Sequence, residues 1–178
     1  YHSFELAPDT PVDFDGTPKQ YLAERKGVSP EQADQMLERV TGIAASVGLD
    51  YDYDHVHQTN TIKAHELLHY AKSKGRQIDM KERLLKAYFV DGRHVGRIED
   101  LADLAAEIGL DRAEVVRVLS ENAYLADVKA DVAQAAEYGI NGVPFFVFDA
   151  KYGVSGAQDP ATFANVLAQV HSEREVAQ

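Results

Sequence analysis

A mixed α/β fold, with a large all-helical block held inside a small-sheet frame, is predicted from three observations. The first six residues, Tyr1-His2-Ser3-Phe4-Glu5-Leu6, have the alternation and aromatic content of a short strand ended by Pro8. From Thr17 to Ala126 almost every segment repeats apolar residues at helical spacing. After Gly139 the pattern changes to an apolar run, Phe145–Phe148, and a second short β-type run, Tyr152–Ser155, before a last helix.

The elements follow in order. Residues 9–16 hold Asp9, Pro11, Asp13, Asp15 and Gly16 and read as a polar loop. Thr17-Pro18 supplies a cap and a first-turn proline for a helix to Lys26. Ser29-Pro30-Glu31-Gln32 is a capping-box arrangement, and Ala33, Met36, Leu37, Val40, Ile43, Ala44 and Val47 form a stripe over four turns, stopped by Gly48. A connector rich in Asp and Tyr covers 49–57. Helices are expected over Asn60–Lys74 and Asp79–Val90, then around Leu101–Ile108 and over Arg112–Ser120, the last capped by Asp111. Asn122 breaks that pattern, and Leu125, Val128, Val132, Ala135 and Ala136 carry a further helix into Gly139. Ala150-Lys151 reads as the hairpin turn. Asp159-Pro160 starts the C-terminal helix, with Phe163, Val166, Leu167 and Val170 as its inner face.

The chain has 178 residues, a net charge of −11, 45% apolar residues and no cysteine. That size and apolar content suffice for a core. An acidic surface repels phosphate backbones, so no nucleic acid is expected as a partner. No apolar run reaches the roughly 20 residues that cross a bilayer, so no membrane is expected either. Without cysteine these residues supply no disulfide, thiolate metal site or thiol nucleophile.

The most informative stretch is Gly139–Phe148. Asn141-Gly142 is turn chemistry, and Pro144 stands at the mouth of the Phe-rich strand, where a missing N–H is tolerated. An X-Pro bond there is a candidate cis peptide, because the trans preference is only about 0.5–1 kcal/mol. Such a bond would turn the main chain of Val143 outward; the plainer reading is a strand that begins with proline.

Phe4-Glu5-Leu6, Asn60-Thr61 with Ala64-His65, Gly142-Val143-Pro144-Phe145-Phe146 and Val154-Ser155-Gly156-Ala157-Gln158 together resemble the DsbA-like thioredoxin-fold oxidoreductases, in particular their FrnE-like branch. The resemblance implies a thioredoxin-like fold with a large all-helical insertion domain: residues 1–8 and 127–178 in the thioredoxin-like part, 9–126 in the insertion. It implies disulfide exchange on protein or small-molecule substrates, with Val143 offering its backbone to an extended substrate by strand addition. Pro144 would be the cis-proline facing the redox centre, Gly142 the turn residue, and Gln158 and His65 further substrate contacts near the cleft. Enzymes of this kind carry a Cys-x-x-Cys upstream of the strand matching Tyr1–Leu6. The redox pair is therefore expected in residues preceding Tyr1, and the cysteine-free chain is expected to be inactive alone. No cofactor is expected; a homodimer is possible, and the resemblance favours the cytoplasm.

Two relatives of that fold give alternatives. Kappa-class-like glutathione transferases and isomerases share the Val-Pro block but follow the hairpin with a Ser/Gly-x-Asp-Arg pattern for glutathione. Here Asp159 is present but Pro160 replaces the basic residue. A non-catalytic peptide-binding module is the other. His65-Glu66-Leu67-Leu68-His69 also matches the H-E-x-x-H helix of zinc metallopeptidases, a low-ranked reading because the third ligand is unplaced among His94, Glu82 and Glu99. Asp50–Asp54 opens like a calcium loop but has His55 where glycine is needed and Thr61 where glutamate is needed.

Overall fold

The computed structural model describes residues 1–176, which divide into two compact units, Tyr1–Ala130 and a second beginning at Asp131. Order along the chain is α1 (Pro18–Lys26), α2 (Pro30–Ser46), α3 (Ile62–Ser73), α4 (Gln77–Phe89), α5 (Ile98–Glu107), α6 (Arg112–Ser120), α7 (Leu125–Glu137), β1 (Phe145–Phe148), β2 (Tyr152–Ser155) and α8 (Pro160–Val176). No helix among the described residues is long and apolar enough to cross a membrane.

In the first unit α3, α4, α5 and α6 surround one core, with Leu67, Met80, Leu101, Leu104, Val115 and Leu119 fully buried. The 3.6-residue spacing of these side chains gives each helix one apolar stripe, and packing stripe against stripe removes them from water. The capping box predicted at Ser29 forms with Gln32 and opens α2, and the Thr17 cap proves to be a second box, with Gln20, at the start of α1. Asp111 caps α6 by accepting from Glu114 N–H at 2.8 Å.

Residues 1–6 form no strand. The ladder among the described residues joins β1 to β2 alone, and an extended segment without a neighbour has no ladder to enter. Helix side chains hold the segment instead: Ser3 Oγ lies 3.1 Å from His69 Nε2, Gln77 donates to Tyr1 O at 3.2 Å, and Lys81 sits over the Tyr1 ring. Residues 1–8 fall within the first compact unit. Two further expectations differ. Met36, Val40, Ile43 and Val47 of α2 are exposed, because α2 packs against α1 through its neighbouring face, Ala33 and Ala44. Leu167, read as inward on α8, is 54% exposed, while Phe163 packs edge-on to Phe146 at 4.8 Å.

Two polar centres stabilise the helical unit. Lys63 Nζ donates to Glu66 Oε1 at 2.6 Å, to Leu119 O at 2.7 Å and to Asn122 Oδ1 at 2.7 Å. One ammonium thereby closes the C-terminal end of α6 and neutralises a fully buried carboxyl. His94, also buried, accepts through Nδ1 from Gly96 N–H at 3.1 Å and Arg97 N–H at 3.2 Å, which leaves Nε2–H to donate to Val12 O at 3.2 Å.

Lys63→Ala strands the Glu66 carboxyl and is expected to cost about 3–5 kcal/mol, whereas Lys63→Met with Glu66→Leu recovers most of it; urea titration of both variants measures this. Burial first, and then Arg97, hold His94 below its ordinary value of 6.5, against Asp100 and Asp13, which raise it, and with His57 lowering it further. The unfolded chain therefore takes up a proton on this ring before the folded one does. Its contribution to stability is full above that ordinary value and declines as pH falls toward the folded value. His94→Asn is expected to flatten the stability profile between about pH 7 and about pH 5, read by denaturant titration across pH.

Candidate substrate-binding site

The second unit is built to present one stretch of main chain. Gly139, at φ 68°, ends α7: its N–H reaches Ala136 O, and Ile140 N–H reaches back to Ala135 O at 2.8 Å. This six-to-one closure needs a left-handed residue, which glycine supplies without a Cβ clash. The chain then turns into the Val143–Pro144 bond, which is cis, and enters β1.

β1 and β2 pair antiparallel, with Phe145 opposite Ser155 and Phe148 opposite Tyr152. The connection uses Asp149 at φ 55° and Ala150 at φ 53°, with Lys151 N–H donating to Phe148 O at 3.0 Å. The left-handed pair is Asp149-Ala150, one residue earlier than the expected Ala150-Lys151. Alanine has no preference for this region and gave no signal. Gly153 is required by a different constraint: a Cβ there would lie 2.8 Å from the Phe145 ring.

Just before the strand, pairing ends abruptly. Pro144 O accepts from Gly156 N–H at 2.8 Å, continuing the hairpin by one bond. Val143 is 46% exposed, and neither its N–H nor its C=O has a hydrogen-bond partner among the described residues. A peptide group in that position is a donor and an acceptor held ready at the end of a ladder.

Of the expected site residues, the structure places Gly142, Val143, Pro144 and Gln158 in this unit and His65 in the first, half-buried on α3. Gln158 is committed locally: its Nε2 donates to Ser155 O at 2.8 Å and holds the turn after β2. Gly142, expected to give the loop its turn, has no positive φ and has open space where a Cβ would stand. The positive-φ glycine beside the site is Gly156, at φ 81° after β2, whose amide reaches Pro144. Its signal, Ser-Gly directly after a strand, was present in the sequence. Asp159 Oδ1 accepts from Ala161 N–H at 2.8 Å and caps α8. Glu66 of the H-E-x-x-H match is buried with Lys63 rather than poised over a metal. Among the described residues no group of three or more His, Asp or Glu could hold a metal ion.

The sequence profile of the DSBA-like thioredoxin domain matches residues 1–168. The chain belongs to the DSBA-like thioredoxin domain family. A crystal structure of a probable DsbA oxidoreductase from Streptomyces coelicolor is 38% identical, with a TM-score of 0.88 over 97% of this chain and 74% of that one. A candidate protein disulfide isomerase from Nitrosomonas europaea, 14% identical with a TM-score of 0.65 over 82% of this chain and 76% of that one, shares the fold. The uncharacterised YwbO of Bacillus subtilis (strain 168) is 30% identical over 108 residues, 59% of this chain and 54% of that protein. The chain thus spans about half the length of the curated relative it matches. The fold of this family member is mostly helical, with a small sheet.

The two glycines of the site separate under substitution. Gly142→Ala is expected to change stability by less than about 0.5 kcal/mol, and Gly156→Ala to cost roughly 1–2 kcal/mol because an L-residue is forced left-handed; thermal unfolding of the two variants distinguishes them.

Proposed function

We propose that this chain is the substrate-holding portion of a thiol–disulfide oxidoreductase of the FrnE-like kind, acting on protein or small-molecule disulfides. The observation that carries the reading is the unpaired peptide group of Val143 at the end of the β1–β2 ladder. An extended substrate segment pairs with that N–H and C=O as an added strand, which fixes its sulfur by main-chain contacts and leaves side-chain choice loose. In the exchange itself a thiolate attacks one sulfur of the substrate disulfide, forms a mixed disulfide and releases the other sulfur as a thiolate. A second thiol then attacks the mixed disulfide and frees the substrate in reduced form; the reverse sequence oxidises it. The chain has no cysteine, so both thiols of this scheme come from outside these residues, in line with an expected Cys-x-x-Cys.

Disulfide exchange is favoured over the glutathione-dependent reading because the Asp159 carboxylate is spent on the first turn of α8 and Pro160 carries no charge for a tripeptide. In an insulin-reduction assay the 178-residue chain alone is expected to give no turnover above buffer. On addition of an extended cysteine-containing peptide, amide exchange at Val143 is expected to slow at least tenfold, read by NMR. Turnover by the chain alone, or peptide binding that leaves the Val143 amide unchanged, would contradict the assignment.

A further inference from the structure

α2 has one face too many. Its Ala33 and Ala44 are buried and it packs against α1, yet a second stripe, Met36, Val40, Ile43 and Val47, is exposed at 41%, 42%, 58% and 71%. Leu49 extends it at 48%. Monomeric proteins seldom leave a continuous apolar ridge of this kind in water.

Two properties of the ridge select its occupant. The first is its spacing. Steps of four, three and four residues from Met36 to Val47 are the same read in either direction, so an antiparallel copy lays Val40 against Ile43 and Met36 against Val47, twice over. A two-fold interface requires this self-complementarity, and a heterologous partner does not. The second is charge. At about 100° per residue, the three α2 carboxylates, Glu31, Asp34 and Glu38, fall on the side away from the ridge, and Asp34 is bound by Lys19 of α1 at 2.8 Å. Gln32, Arg39 and Ser46 border the ridge on its free side. Glu38 stands at the midpoint of α2 and no acidic residue follows it in the helix. The ridge therefore carries no carboxylate into the contact, and antiparallel pairing is favoured because it opposes the helix dipoles as well as matching the ridge to itself. For a chain of net charge −11 this face admits a second copy without like charges meeting.

We propose that α2 is the interface of a homodimer, formed by antiparallel packing of Met36, Val40, Ile43 and Val47 on the same residues of a second copy. This rests on the helical unit alone and stands whether or not the chain acts on disulfides. Analytical ultracentrifugation of the 178-residue chain is expected to give a species of about twice 19.7 kDa. Val40→Glu and Ile43→Lys, at positions exposed in the single chain, are each expected to weaken association at least about 100-fold by burying an unpaired charge, with the circular-dichroism melt retained. Mixing the two variants restores a dimer, because Glu at 40 of one chain then faces Lys at 43 of the other. A monomeric parent chain, a dimer that survives both single substitutions, or a mixture that stays monomeric would each overturn the interface.

Discussion

A peptide group with no partner, fixed one residue before a hydrogen-bonded ladder, is the constraint around which the C-terminal unit is arranged. The main chain that flanks this loop is paired, while Asn141, Gly142 and Val143 make no main-chain hydrogen bond among the described residues. Ile140 closes α7, Pro144 accepts from Gly156, and Gln158 turns back on Ser155. Val143 thus lies at the end of a short unpaired loop, between bonded residues at Ile140 and Pro144. Such anchoring favours binding by strand addition, since a mobile segment would lose ordering entropy on each encounter.

The helical unit follows a different logic. Its apolar stripes supply most of the burial, but the ends of the helices are fixed by a few polar groups that each serve several partners. Lys63 serves three acceptors, and His94 joins the Val12 carbonyl to the amides that open α5. Deleting such a side chain leaves more than one buried group without a partner, which is why these positions outweigh an average surface contact.

Much of this was legible in the sequence, and the reasons differ by element. The Thr17 cap, the capping box at Ser29, the Asp111 cap and the glycines after α1 to α5 and α7 are local signals, and they placed most helices to within a residue or two, with α5 starting three residues early. The Val143–Pro144 stretch was legible because turn chemistry, a proline and an apolar strand stand side by side. What could not be read depends on contacts distant in sequence. Glu66 looks like a catalytic base until Lys63 is seen to reach the end of α6. The α2 stripe predicts burial, yet only tertiary packing says that α1 takes the adjacent face. Tyr1–Leu6 has strand composition, but composition cannot supply the neighbour that a strand needs.

Gly153 shows how far the site extends beyond the residues that would touch a ligand. The Phe145 ring occupies the volume that a side chain at 153 would need, and Phe145 is the second residue after Val143. Any larger residue at 153 must push that ring aside. A strand position bearing no chemistry of its own is thereby limited by a ring on the paired strand. If the proposed strand addition holds, sequence drift at 153 would act on it through the packing of the hairpin alone, with Val143 unchanged.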